Sequence, residues 1–429
     1  MNLRSVLSIW ASLAVGSSGF ATDAAPQPTS ADEPLVLAVA QSSTGFAAAL
    51  YAQLRAQPGN FTFAPFGLAQ ALVPLAVGTR SSTEAELSKV LQLSVPVVDA
   101  ADGFAMLSRR LQRAAGGEEG LIFARSLWVQ QWNTINSDFV EVLREHCRSE
   151  LRVTDFTHAE SAAHWMDKWV ADRTGSQVRA IAEPQSFDTN TRLVVGSAVC
   201  LRAGWQTPFD PAQTAAGRFL AAAEPAPVEV PTMRQTGAYR LATQPGFRLL
   251  ELPYRGERLA MVLLLPDENL PPVEEALTAE SMAEWLRSVH QAGPAPVDLR
   301  LPRFKAERPL ALLMEALQEM GVRQVCDRNG AADMSGLGTN YDSEPVYLSG
   351  VSHVAKFAVD EQGSAAPVSP AAVAVDASAQ APVAGTPAVQ APEQAPVAFT
   401  VDRPFLYFIC DPVTGSVLFM GRVVDPRAG

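Results

Sequence analysis

The tract from Ser364 to Ala398 holds 13 alanines, 6 prolines and 6 valines, and only Asp376 and Glu393 carry charge. It contains no aromatic residue, no Leu or Ile, no Lys and no Arg. Ordering a backbone costs about 1–2 kcal/mol per residue, and a tract with so little to bury cannot offset that. It is therefore expected to be an exposed, extended loop of polyproline character. The tract does not hang from an end of the chain. VSHVAKFAVDE precedes it, and PFLYFICDP and GSVLFMGRVVD follow it, all patterned as buried strand. Long loops in compact domains are usually functional or disordered. A loop of small residues held at both ends by a rigid body suits the role of bait.

The rest of the chain is large enough to be that body. Arg4, the apolar run Val6–Val15 and the small residues Gly19-Phe20-Ala21 predict a signal peptide over 1–21. The alternative is a retained anchor, although the run is short for a membrane span. Residues 22–34 read as a flexible leader, and 35–429 as one domain. Localisation is expected to be secreted or periplasmic. The composition is globular, with 48% hydrophobic and 18% charged residues. A net charge of −12 without a basic cluster argues against nucleic-acid binding and fits a soluble, monomeric protein away from membranes. Cys147, Cys200, Cys326 and Cys410 are scattered without a CxxC, so four free thiols are expected. An exported chain could instead oxidise them in pairs.

Apolar spacing predicts helices over 35–56, 66–78, 101–114, 137–147, 160–173 and 310–320. Thr83-x-x-Glu86 resembles a capping box opening a further helix with Leu87, Val90 and Leu91 on one face. Trp165 and Trp169, four apart, should pack on one side of their helix. Strands are predicted at 121–130, 192–201 and 297–304, with a hairpin from 246–254 and 259–268. The run at 192–201 is apolar on both faces, as a central strand covered on two sides requires. There is no βαβ rhythm and no internal repeat, so the fold class is α+β.

Catalytic signatures are missing. The five histidines stand in no HExxH, and the chain has no GxSxG, SxxK or P-loop. Tyr341 occupies the third glycine position after Gly336 and Gly338. His158, Glu160 and His164 do not share one helical face, so a solvated helix start is expected there rather than a metal. No enzyme activity, metal or cofactor is expected.

Several blocks, in chain order, resemble the serpin family. Asn60-Phe61-Thr62-Phe63-Ala64-Pro65 is similar to the family's Asn-x-x-x-Ser-Pro block, and GTRSSTEAELSKVL (78–91) to the helix after it. LVVGSAVCLRAGWQTPFDPAQT (193–214) resembles the strand ending in Gly-x-Trp-x-x-Pro-Phe. LLLPDE, LRLPRF, GVRQVCDRNGAADMSGL (321–337), SHVAKFAVDEQGSAA (352–366) and DRPFLYFICDPVTGSVLFMGRVVDP (402–426) follow. The resemblance spans about 35–426 apart from the loop's interior, and it implies an exported, prokaryotic-type member with an unusually long Pro/Ala-rich reactive loop.

The resemblance implies three β-sheets ringed by helices, with an exposed reactive-centre loop at about 361–401. It also implies a suicide-substrate mechanism against serine proteases. The target protease cuts the loop, and the cleaved loop inserts into the largest sheet with the acylated protease attached. By the same resemblance the hinge is Glu361, Gln362, Gly363, Ser364, Ala365 and Ala366. Trp205 marks the loop's entry to the sheet, and Asn60, Ser197 and His353 the region where the central strands part. Ala64, Gly67 and Ser197 replace the family's usual serines and asparagine, which implies an altered opening barrier. Counting forward from Glu361 puts the reactive bond at Ala377–Ser378, while counting back from Asp402 puts it at Glu393–Gln394. The two differ by 16 residues, so the loop is longer than usual by about that much.

Pro367 and Pro370 stand where the inserted strand must run, and proline belongs at strand edges rather than in a central ladder. That leaves a non-inhibitory carrier, chaperone or simple substrate as the alternative. Between Lys356 and Arg403 there is no Lys or Arg, and between Phe357 and Phe399 no Leu, Phe or Tyr. An elastase-like or subtilisin-like protease accepting Ala or Val is the expected target.

Overall fold

The computed structural model describes residues 33–117, 120–131, 133–256, 258–306, 313–340, 345–365 and 395–428. The expected signal peptide and reactive bond lie outside them, as do Ala366, Pro367 and Pro370. Nine α-helices occur among the described residues: α1 (Glu33–Leu54), α2 (Pro65–Gly78), α3 (Ser81–Val90), α4 (Val97–Ala114), α5 (Ser137–Val142), α6 (Ala159–Arg173), α7 (Pro271–Glu275), α8 (Ala279–Gln291) and α9 (Leu313–Met320). The helix α1 is long and apolar enough to cross a membrane, but its most apolar window is 67% buried inside the protein. It is a core helix. Its first residues, Glu33 and Pro34, fall in the expected leader, and Glu33 is held by Arg110 at 2.8 Å.

Two helical expectations need correction. No capping box opens α3. Its N-cap is Arg80, and Thr83 and Glu86 point to a neighbouring segment instead. The Thr83 hydroxyl donates to Gln324 at 3.2 Å, and Glu86 Oε1 accepts the N–H groups of Arg323 and Gln324 at 2.7 and 2.9 Å. On α6 the two tryptophans part. Trp169 is buried edge-on to Trp128, whereas Trp165 is 54% exposed. The predicted helix at 137–147 forms as α5 followed by a π-helical turn, Leu143–Cys147.

Among the described residues the strands form three sheets. A nine-stranded sheet runs β1 (Phe61–Phe63), β17 (Ser416–Val423), β16 (Phe405–Asp411), β9 (Ala260–Pro266), β8 (Phe247–Pro253), β7 (Val228–Gln244), β10 (Pro294–Pro302) and β15 (Val397–Thr400). Its remaining strand, β6 (Ala215–Phe219), pairs with the start of β7. A two-stranded sheet joins β3 (Asn133–Ile135) to β12 (Gly338–Asn340). The six-stranded sheet runs β11 (Phe304–Ala306), β13 (Leu348–Val359), β14 (Gly363–Ala365), β5 (Leu193–Gly204), β2 (Leu121–Gln130) and β4 (Glu150–Thr154).

The expected strand 297–304 is in fact two. It turns at Arg303, whose N–H reaches Pro231 O at 2.9 Å, so that β10 and β11 lie in different sheets. The strand β5 is central, as its two apolar faces require. Leu193, Val195, Val199 and Leu201 join the main core. Val194, Ala198 and Cys200 join a second cluster beneath α6 with Trp128, Met166 and Trp169.

Both ends of the Ala/Pro/Val tract lie in sheets, contrary to the expectation of loop throughout. Ser364 and Ala365 belong to β14, and Val397 and Ala398 to β15. All four cysteines are free, and burial pushes the Cys147 and Cys200 thiols up to about 12.

Candidate functional site

At one end of the six-stranded sheet, β5 and β13 are prised apart. They pair directly, in parallel, from Leu348↔Leu193 to Lys356↔Cys200. Beyond that point β14 lies between them. Gly363, Ser364 and Ala365 pair antiparallel with Gly204, Ala203 and Arg202 on one side, and Ser364 and Ala365 pair with Val359 and Ala358 on the other. The chain therefore leaves β13, turns back, and lays its first three hinge-strand residues into the sheet it has just left.

The turn is built from Asp360, whose Oδ1 accepts the N–H groups of Gln362 at 2.8 Å and Gly363 at 3.2 Å. Glycine is required at 363 because a Cβ there would stand 2.1 Å from Ala203 O. The Glu361 side chain is buried and accepts from Thr214 Oγ1 at 2.5 Å and from Arg303 at 2.9 and 2.5 Å. Burial pushes its carboxyl up, but the bonds from Arg303 and Thr214 outweigh that and hold it below the usual carboxylate range. Trp205 grips the same turn. Its backbone N–H donates to Gln362 O at 2.8 Å and its indole N–H to Asp360 O at 2.9 Å. The indole stacks on Tyr254 at 4.6 Å between centroids, and the Tyr254 hydroxyl lies 2.6 Å from Ser364 Oγ.

Farther down, where β5 and β13 are zipped together, His353 stands opposite Ser197. Its Nδ1 lies 3.0 Å from Ser197 Oγ, and its Nε2 accepts the Ala64 N–H at 3.0 Å. A nitrogen that accepts carries no proton, so the ring is the neutral Nδ1–H tautomer donating to Ser197. The Ser197 hydroxyl points on to Gly67 O at 3.5 Å. Burial lowers the His353 pKa from 6.5 to about 3, which agrees with a neutral ring. The cluster ties the two central strands to the start of α2. Gly67 matters for this approach, since a Cβ there would stand 2.3 Å from Val199 Cγ2.

Of the residues expected at the sheet opening, Ser197 and His353 meet directly, and Trp205 sits at the hinge. Asn60 is in neither cluster. Its side chain is spent on the C-terminal segment, donating to Asp425 O at 2.7 Å and accepting from the Val424 and Asp425 N–H groups at 2.7 and 3.1 Å. Asp360, Thr214, Tyr254 and Arg303 were not anticipated. Tyr254 ends a predicted hairpin strand, and nothing in its local pattern ties it to a residue 110 positions away. Among the described residues no cluster of His, Cys, Asp or Glu could hold a metal. His158 faces Asp155 at 3.0 Å.

The family model "Serpin (serine protease inhibitor)" matches residues 41–426. An uncharacterised serpin-like protein of Thermococcus kodakarensis is 31% identical over 402 residues, covering 93% of this chain and 87% of that protein. Leukocyte elastase inhibitor of Homo sapiens is 29% identical over 398 residues, 90% of this chain and 99% of that one. Among solved structures, native protease nexin-1 with heparin superposes with a TM-score of 0.75 at 25% identity, over 91% of this chain and 100% of that chain. With the split sheet, the docked hinge and a family match across most of its length, the chain belongs to the serpin family.

Proposed function

We propose that the protein is an exported serine protease inhibitor that acts once, as a suicide substrate. The target's catalytic serine attacks a carbonyl in the loop after Ala365, the peptide bond breaks, and the new amino terminus leaves. The ester that remains links the loop to the protease. Before water hydrolyses it, the severed strand runs on from β14 between β5 and β13, carrying the protease with it. The observation that carries this reading is the docked hinge. A strand of three residues already sits between the two strands that must part, and it ends beside the section where they are still zipped together.

The absence of basic and large apolar residues from the loop favours an elastase-like or subtilisin-like target and disfavours trypsin-like and chymotrypsin-like ones. The reactive bond is proposed at Ala377–Ser378, with Glu393–Gln394 as the alternative. The Arg4-led apolar leader supports export. A non-inhibitory role stands as the second reading because Pro367 and Pro370 lie in the segment that must insert. Mixing the protein with pancreatic elastase or subtilisin and running a denaturing gel separates the two. Inhibition yields a covalent band at the summed mass, whereas quantitative cleavage with no such band against both enzymes would leave the second reading.

A further inference from the structure

Two hydroxyls meet in the interior where the hinge enters the sheet. The Tyr254 phenol and the Ser364 side chain lie 2.6 Å apart, with Tyr254 1% and Ser364 0% exposed. An unpaired hydroxyl is costly to bury at such a place, and the pair satisfies both groups at once. Tyr254 is itself fixed by its stack on Trp205 and by its N–H on Leu259 O at 2.9 Å. Beyond its ladder pairs with β5 and β13 and the Gly363 bond to Asp360, the strand it meets has few side-chain contacts. Gly363, Ser364 and Ala365 bring almost no apolar surface, and the clamps from Trp205, Thr214 and Arg303 act upstream, on Asp360, Glu361 and Gln362.

We infer that Tyr254 is a positioning residue which, through Ser364, keeps the first residues of the inserting strand docked between β5 and β13 before any bond is cut. This rests on the reading of the loop as an inserting strand. A docked end means that insertion begins by extending a ladder already nucleated on both sides. Without the hydroxyl pair the hinge spends more of its time outside the sheet. Each insertion must then re-dock it first, while hydrolysis of the ester proceeds.

Tyr254→Phe keeps the ring and its stack and removes only the hydroxyl. In the uncleaved full-length protein, hydrogen–deuterium exchange at Ser364 and Ala365 should become about two- to tenfold faster, the range expected when one buried hydrogen bond is lost. Exchange along the middle of β13, Val351 to Lys356, should stay unchanged. No change at the hinge, or equal acceleration along β5 and β13, overturns the inference. Ser364→Ala deletes the same bond from the loop side and should give the same pattern, which covers a failure of Tyr254→Phe to fold.

Against elastase, the trapped fraction should fall in both variants while the rate of loop cleavage holds. Faster hinge exchange with an undiminished trapped fraction also overturns the positioning role. If the unaltered protein traps neither elastase nor subtilisin, the inhibitor reading fails, and the exchange measurement still decides whether Tyr254 anchors the hinge.

Discussion

His353 crosses between β13 and β5 with both ring nitrogens engaged, one on Ser197 and one on the Ala64 N–H. A second ring proton would remove the acceptor at Nε2 and place a charge on a buried ring, which is why burial takes the pKa down to about 3. The folded state thus binds this proton less readily than the unfolded chain, whose histidine titrates near 6.5. Above that pH the cluster contributes its full stability. As the pH falls from 6.5 toward 3 the unfolded chain takes up the proton first, and stability declines by about 1.4 kcal/mol per pH unit. Melting curves between about pH 7.5 and 5.5 should therefore shift down more for the unaltered protein than for His353→Gln. Equal shifts would show that the ring is not what titrates.

Single residues were partly legible in the sequence. Ser197 and His353 were named by the family resemblance, and the structure brings them together at 3.0 Å, while Asn60, named with them, lies elsewhere. Thr83 and Glu86 fit a helix start in spacing and chemistry, yet the segment at 323–324 offers backbone N–H groups that Glu86 satisfies instead.

Among the elements, β14 shows what a longer inserted strand must do. Continuing its register on both neighbours brings Pro367 opposite Cys200 and Lys356, and Pro370 opposite Ser197 and His353. In an antiparallel ladder consecutive residues turn to alternate neighbours, so two prolines three apart withhold their missing N–H groups from different strands. One carbonyl on each of β5 and β13 loses its partner, at about 1–3 kcal/mol apiece. The second loss falls at the level where the His353 cluster must already have opened. Pro367→Ala combined with Pro370→Ala should raise the fraction of elastase trapped per loop cleaved. An unchanged ratio would mean that strand insertion does not limit the race.

Elements were the most legible scale. The period of apolar residues placed seven of the nine described helices and the strands β2, β5, β8, β9, β13, β16 and β17, because one buried face imposes one spacing, whereas α7, α8 and the long β7 were not expected. The expected strand 297–304 failed for a different reason. Alternation reports which face is buried but not which sheet buries it, and the chain changes sheets at Arg303.

For the whole molecule, the proposed function makes the decisive quantity the free energy released when the open sheet gains a strand. About ten added ladder bonds at about 1 kcal/mol each, in a chain of this length where each kcal/mol moves the midpoint by about 1 °C, put the shift at about 10 °C. Nicking the loop with a catalytic amount of protease and repeating the melt should show that rise. A nicked protein that melts with the intact one would mean that the severed loop stays outside, and the architecture would then serve another purpose.

The linear chain determined the α+β class and several of the buried strands through composition and local period, and the serpin body through the resemblance of its motifs. Composition and local period act over a few residues, and the motifs are likewise short blocks of neighbouring positions. Tertiary structure alone decided that the hinge is already docked, that Tyr254 meets Ser364, that Asn60 serves the C-terminal segment, and that His353 joins Ser197 across 156 positions. Such pairings depend on strand register and chain reversal, and no local pattern encodes either.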